Sequence, residues 1–222
     1  MNAPTPSRPF SKFDARTPAD ELRVLRDYPL AWVTSGHGAN QVSAPHATLL
    51  PIQAKTDAHG RLVGLVGHFA RHNPQVEALR RQPQAQFLFL GPHGYISPSW
   101  MADRSQAPTW NYASVRCVAT VHFHDDGRRL RDEIRALVDS QEAGRTGQWG
   151  VDDMGERYER LARAIVGFEA RIDDVQGKFK LGQDERTDVF EDIVRGLAAQ
   201  PGGDAATLLS WMHEFNPSRS TG

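Results

Sequence analysis

The feature that most limits the possible folds is a series of short apolar runs separated by turn signals. Up to position 124, these runs cover 30–34, 41–50, 61–69, 85–90 and the longer stretch 109–124. Successive apolar runs joined by turn residues are typical of antiparallel strands. A doubly wound parallel sheet would need a helix after nearly every strand, and that alternation is missing. The sequence therefore predicts a mainly β, α+β fold built on an antiparallel meander or barrel.

Helical signals lie between and after these strands. Thr17-Pro18 and Asn73-Pro74 each place a capping residue before a proline, which is a common helix start. Amphipathic segments predict further helices at 128–142, 158–162, 188–199 and 205–214, and 165–172 returns as a strand. We therefore expect a flexible tail at 1–13, a barrel domain at 14–183 and a helical C-terminal segment at 184–222.

Composition and charge narrow the class of protein. Of 222 residues, 39% are hydrophobic and 24% are charged, as in an ordinary globular chain. The net charge of −1 gives no global basic field for nucleic acid, although a local basic face would suffice for DNA. Cys117 is the only cysteine, so no intramolecular disulfide can form. With no apolar segment of membrane-spanning length and no signal-like start, we expect a cytoplasmic protein that does not enter a membrane.

The segment 67–74, GHFARHNP, is the first candidate site, because a strand ends there and a helix begins. Helix N-termini present free N–H groups and a positive dipole end, which suits a phosphate. Arg71, His72 and Asn73 add further donors. The alternative is that Asn73 only caps the helix while Arg71 faces water.

Two more segments are rich in ligand-binding side chains. The first spans 94–112 and contains Tyr95, Ser97, Trp100, Trp110 and Asn111, a mixture that suits a planar heteroaromatic ligand or a subunit interface. The alternative is that both tryptophans belong to the core.

The other segment is 177–183, where Lys178 and Lys180 would share one strand face. These lysines could bind phosphate or simply be solvated. No zinc-like ligand spacing, Walker loop or nucleophile elbow is present, so we expect no metal.

Five strings of this sequence together resemble the PaiB family of FMN-binding negative transcriptional regulators. They are GHFARHNP (67–74), LGPHGYISPSW (90–100), PTWNYASV (108–115), RAIVGFE (163–169) and GKFKLGQ (177–183). Their order and spacing agree over about 14–197. The chain differs from the usual pattern at Arg116, Phe179 and Gly182, where many relatives carry His, Trp and Ser.

The resemblance implies an FMN-binding split β-barrel, related to the pyridoxamine-phosphate oxidases, that works as a homodimer with flavin at the subunit interface. It places 41–46 beside the isoalloxazine ring and 71–73 at the FMN phosphate. Other residues would line the pocket, in part from the second subunit. The cofactor-binding residues implied are Ser43, Ala44, His46, Arg71, His72, Asn73, Ser97, Trp100, Trp110, Asn111, Lys178 and Lys180.

Two functions stay open at this point. The family name implies a flavin-responsive regulator that binds DNA, although the balanced charge and the lack of a convincing helix-turn-helix give DNA binding no support. The alternative is a flavin-dependent oxidoreductase acting on a small substrate, in which the cofactor performs the chemistry. No residue stands out as an obligate acid or base, which favours the regulator.

Overall fold

The computed structural model of the chain describes residues 11–36 and 45–219. Within these residues there are seven strands: β1 (Leu30–Ser35), β2 (His46–Pro51), β3 (Gln53–Thr56), β4 (Leu62–Ala70), β5 (Gln84–Ile96), β6 (Thr109–His124) and β7 (Ile165–Lys180). The helices are α1 (Pro18–Asp27), α2 (Pro74–Arg81), α3 (Gly127–Glu142), α4 (Arg157–Ala162), α5 (Thr187–Ala198) and α6 (Gly203–Phe215).

All strands belong to one antiparallel sheet with the order β2-β1-β5-β6-β7-β4-β3. The two outermost strands, β2 and β3, are consecutive in the chain, and only the buried Ile52 separates them. The sheet must therefore curl until its two edges meet, which makes it a barrel. The predicted antiparallel α+β architecture is confirmed, and β2, which follows Pro45, is an edge strand.

The strand boundaries differ from the sequence-based expectation in three places. β7 continues to Lys180 and not only to Ile172, and β3 was not predicted as a separate strand. The apolar run 85–90 predicted a strand that ends at Leu90. Instead β5 ends at Ile96 and Pro98–Trp100 forms a 3-10 turn, because proline cannot donate to a sheet ladder.

The barrel interior is filled by alternate residues of the long strands. Along β6 every second side chain from Asn111 to Val121 is buried, and Cys117 is among them. Burial raises the pKa of the Cys117 thiol to about 12, which disfavours the reactive thiolate. The aromatic centre of the core consists of Phe69, Phe87, Phe123 and Phe168, whose ring centroids lie 5.4–6.2 Å apart.

The helix α3 covers the outer face of the barrel where β4, β7 and β6 run together. His124 packs over Gly167, which has no side chain to obstruct it. The His124 Nε2 and Glu133 Oε2 atoms lie 3.0 Å apart, and Arg129 donates to both Glu133 and Glu169 at 2.8 and 2.5 Å. These partly buried polar contacts fix α3 on the sheet.

The C-terminal helices close one end of the barrel. Trp211 and Phe215 of α6 stack with Phe179 of β7 at centroid distances of 6.2 and 5.1 Å. Arg16 and Arg23, before and within α1, lie 3.7 and 4.1 Å above the rings of Phe215 and Trp211. Aromatic and cation–π contacts thus join both ends of the chain. In the described part of the chain, no helix has the length and apolar character needed to cross a bilayer.

Candidate functional site

The junction between β4 and α2 is the first part of the site. Asn73 is the N-cap residue of α2, and its Oδ1 accepts a hydrogen bond from Gln75 N at 2.9 Å, as the sequence predicted. Asn73 Nδ2 donates to Thr48 Oγ1 of β2 at 3.1 Å. The side chain therefore connects the start of the helix to the strand that follows 41–44.

The side-chain amide of Gln75 is buried behind this junction, and the sequence did not predict this. Gln75 is fully buried, and its Nε2 donates to Val33 O and Ser35 Oγ, both at 3.0 Å. Thr48 Oγ1 donates to Gln75 Oε1 at 2.6 Å. These bonds satisfy the amide and fix β1 and β2 against α2. A glutamine in the first turn of a helix gives no sign of this role, because nothing local reveals its burial.

Arg71 lies at the surface of the same junction, and its guanidinium is 47% exposed in side-chain terms. Its Nε and Nη2 donate to Arg163 O and Ile165 O at 3.1 and 2.8 Å. Its Nη1 donates to Asp125 Oδ1 at 2.8 Å, and this bond holds the pKa of Asp125 below its usual value. Arg71 is thus an oriented, accessible cation beside a helix N-terminus.

The remaining residues expected near Arg71 are placed as follows. His72 is exposed in the turn between β4 and α2, and His46 begins β2, half-buried and opposite Ser35. Ser43 and Ala44 lie outside the described residues, and so does most of 41–46. The structure therefore brings His72 and Asn73 together with Arg71, and it connects β2 to them through Thr48.

The second part of the site is an aromatic surface on β5 and β6. Trp110 and Tyr95 are opposite each other in the sheet and are 54% and 47% exposed. The Trp110 ring stacks near His93 with centroids 6.3 Å apart, and Tyr95 approaches it edge-on at 6.0 Å. Tyr95 belongs to the expected aromatic segment, whereas His93 was not among the expected site residues. Exposed rings in contact suit a planar ligand or a partner surface.

Lysines from β7 lie on the same outer face. Lys180 pairs with Tyr112 in the sheet and donates to Thr109 Oγ1, next to Trp110. Lys178 is exposed and pairs with Ser114. The alternation expected for these two lysines is therefore present, and it makes the aromatic surface electropositive.

Three expected pocket residues are held by the protein itself. Trp100 packs against Gly196 of α5, as the core alternative for this tryptophan foresaw. Ser97 Oγ caps the following turn by accepting from Ser99 N at 3.2 Å. Asn111 is fully buried on the inner face of β6, where its Nδ2 lies 3.5 Å from Met212 Sδ. Asn111 and Trp110 therefore face opposite sides of the sheet.

The two parts of the site lie at opposite ends of β6. Trp110 is near the start of this strand, and Asp125, the partner of Arg71, follows its end. The 16 residues of β6 correspond to roughly 50 Å of extended chain. The phosphate-suited junction and the aromatic surface are therefore well separated within one protomer.

An apolar strip adjoins the aromatic surface on the outside of the barrel. Its members are 40–54% exposed although they are large, and they are Leu30, Trp32, Leu49, Leu88 and Leu90. Trp32 lies between Leu49 and Leu88 in the sheet register, so the strip crosses three strands. Contiguous exposed apolar area of this kind marks an interaction surface.

The donors of the junction fit a phosphate dianion: an oriented guanidinium, an imidazole and the N-terminus of α2. Among residues 11–36 and 45–219, no three metal-binding side chains come together. The curled antiparallel sheet with its strand-to-helix junction places the protein in the class of split β-barrels.

Comparison with sequence families agrees with this class. Residues 10–174 match the family model described as "Putative FMN-binding domain". The chain therefore belongs to this FMN-binding family, and FMN is its cofactor. The resemblance to PaiB-type proteins is confirmed by a match to a Bacillus subtilis (strain 168) protein named "Protease synthase and sporulation protein PAI 2". The two are 28% identical over 172 residues, which is 77% of this chain and 81% of that protein.

Other relatives and solved structures extend the likeness. An uncharacterised protein of Emericella nidulans is 28% identical over 210 residues, 79% of this chain and 84% of that protein. The flavocytochrome Anf3 from Azotobacter vinelandii superposes with a TM-score of 0.58 at 17% identity, covering 91% of this chain and 84% of its own. An FAD and heme binding protein from Mycobacterium smegmatis gives 0.56 at 21% identity, with 82% and 80% covered. At these identities the two structures show a shared fold.

Proposed function

We propose that the protein is a cytoplasmic homodimeric regulator of the PaiB type, which binds FMN across its subunit interface and represses transcription. The observation that carries the proposal is the separation of the two parts of the site along β6. An FMN molecule is much shorter than this strand, so one flavin cannot contact the Arg71 junction and the aromatic surface of the same protomer. In the proposed two-fold dimer the junction of one copy faces the aromatic surface of the other, and both contact the same FMN.

The apolar strip supports the dimer. Leu30, Trp32, Leu49, Leu88 and Leu90 form a surface that is unfavourable in water and that is continuous with the aromatic surface. A C2 interface uses the same patch on both copies, so this one strip can meet itself. Burying it removes apolar area from water at about 25 cal/mol per Å².

In this proposal each part of FMN is bound by a defined set of residues from one of the two copies. Arg71, His72 and Asn73 hold the phosphate, while the family resemblance assigns Ser43, Ala44 and His46 to the isoalloxazine ring. The partner copy contributes Trp110 with Lys178 and Lys180, whereas Ser97, Trp100 and Asn111 act only indirectly, by holding the strands and the turn that carry this surface. Bound FMN supplies a redox-active chromophore. The side chains assigned here bind and orient FMN.

The regulatory role draws on the Bacillus relative, whose name connects it with protease synthesis and sporulation. Binding to operator DNA would depend on phosphate contacts and would weaken as salt rises. Since the chain carries a net charge of −1, this affinity must come from a local basic face.

The test uses the purified full-length chain with added FMN. We expect a dimer by light scattering with one FMN per protomer, and retention of DNA from upstream of its own gene in gel shifts that fade with salt. A stable monomer would contradict the composite site. Absence of DNA binding, together with rapid anaerobic bleaching of the flavin by a reduced nicotinamide that a specific acceptor reverses, would support a flavin-dependent oxidoreductase instead.

A further inference from the structure

Each of the three guanidinium nitrogens of Arg71 donates one hydrogen bond within the protein. Two of its donors reach the main-chain carbonyls of Arg163 and Ile165, at the entry to β7. The third reaches the carboxylate of Asp125. The carbonyl contacts are set by the backbone and orient the guanidinium, whereas the contact with Asp125 depends on a single exposed side chain.

The Asp125 carboxylate can move away from Arg71 without disturbing the neighbouring helix. Its side chain is 65% exposed, and it lies between the end of β6 and the N-cap of α3. The capping task belongs to its neighbour Asp126, whose Oδ1 accepts from Arg128 N and Arg129 N at 2.9 and 3.1 Å. The helix therefore does not require the carboxylate of Asp125.

We propose that Asp125 is a resident counter-anion that occupies the phosphate position on Arg71 and that FMN must displace. This inference rests on the proposed role of Arg71 as phosphate partner. A phosphate dianion next to Asp125 would meet a like charge, so the carboxylate has to swing away when the phosphate binds. The Arg71–Asp125 ion pair thus lowers the affinity for FMN, because the phosphate of FMN must compete with the Asp125 carboxylate for Arg71.

The surroundings offer Asp125 a second position. Arg80 of α2 attracts it electrostatically, and both line a cavity of about 340 Å³. The other lining residues of this cavity are Leu79, Pro83, Val121, His122 and Phe123. When the Asp125 carboxylate leaves Arg71, it can therefore turn toward Arg80 and stay close to a positively charged side chain.

The competition has a consequence for specificity. A flavin without phosphate, such as riboflavin, has no anion with which to displace Asp125, so removal of that carboxylate should not help it. FMN carries the anion and should gain. The structure thus predicts that Asp125 affects the phosphorylated and the unphosphorylated flavin differently.

The experiment measures FMN and riboflavin binding by flavin fluorescence for the wild type, Asp125→Asn, Arg71→Ala and the double variant. We expect Asp125→Asn to bind FMN about two- to fivefold more tightly, the range of an exposed ion pair. Riboflavin affinity should not change. In the Arg71→Ala background the Asp125→Asn gain should vanish, because the competition acts through that guanidinium.

Asp132→Asn is the matched control, since Asp132 is an exposed carboxylate of α3 and its removal changes the net charge equally. It should leave FMN affinity unchanged. Equal or weaker FMN binding by Asp125→Asn, with a wild type that binds FMN, would overturn the competition alone. A wild type that takes up no FMN would overturn the proposed cofactor site as well. Thermal unfolding of each variant verifies that it is folded.

Discussion

The indole of Trp100 lies directly against Gly196 of α5, so close that a Cβ atom at this glycine would overlap the ring. The contact joins the turn after β5 to the C-terminal helices. Asp192, one helical turn before Gly196, accepts a hydrogen bond from Ala102 N at 2.7 Å and strengthens the same junction. The segment that leads to Trp110 is therefore positioned by a part of the chain beyond the matched residues 10–174.

The substitution Gly196→Ala tests this contact. In an open helix alanine would stabilise by up to about 1 kcal/mol, but here the overlap with Trp100 should dominate. We expect the free energy of unfolding to fall by about 1–2 kcal/mol, measured by urea denaturation. Gly203→Ala, at the start of α6 where a Cβ would meet nothing within 4 Å, is the control and should cause no loss. Unchanged stability in Gly196→Ala would contradict the tight packing.

The substitution Arg71→Ala tests the phosphate site. It should weaken FMN binding by about 1.5–3 kcal/mol, the range for hydrogen bonds to charged groups. Isothermal titration with FMN provides the measurement. Arg81→Ala removes an exposed arginine from the far end of α2 and should leave the affinity unaltered. If both variants bind like the wild type, the phosphate lies elsewhere.

The substitution Trp32→Glu tests the apolar strip. A carboxylate at its centre would be buried without a partner in a dimer, so we expect a monomer by light scattering and reduced FMN uptake. Leu161→Glu introduces the same charge at an exposed leucine of α4, away from the strip, and should stay dimeric. If the Trp32→Glu variant stays dimeric and binds FMN with wild-type affinity, the strip is not part of the interface.

Stability at mildly acidic pH should depend on His68. Burial under α3 lowers the pKa of this imidazole below 6.5, although Glu133 opposes the shift. The unfolded chain then binds a proton that the folded chain does not, so the stability present above about pH 6.5 is lost as the pH falls.

We expect His68→Gln to remove part of this loss, which can reach about 1.4 kcal/mol per pH unit for one proton. Urea denaturation of the flavin-free protein at pH 7.5 and pH 5 gives the comparison. His59→Gln, in the exposed hairpin turn, should retain the wild-type slope. An identical slope in His68→Gln would show that other groups cause the loss.

Local signals predicted the parts of the fold that neighbouring residues decide. Asn73-Pro74 and Thr17-Pro18 do begin helices, and Gly60 N donates to Asp57 O at 3.0 Å in the turn between the predicted strands 41–50 and 61–69. Adjacent residues are enough in such cases, because capping and turn bonds span only a few positions.

Long-range pairing explains what the sequence did not predict. The last strand was predicted to cover only 165–172, yet β7 continues through Asp173 and Asp174, whose carboxylates find partners across the sheet. Asp174 accepts from Arg116 Nη2, and Asp173 accepts from Thr120 Oγ1, each at 2.7 Å. The inward direction of Asn111 and the burial of Gln75 likewise depend on distant elements, so composition alone could not separate them from exposed site residues.

The single buried residue between β2 and β3 also limits how the length of this protein can vary. Ile52 is the single residue that joins the two edges of the curled sheet. One residue inserted there would reverse which side chains of a neighbouring strand point inward. The exposed segment 143–150, which joins α3 to the turn before α4, faces no such restriction. Tags or extra domains inserted at 143–150 should be tolerated, whereas the chain on either side of Ile52 should accept neither insertions nor deletions.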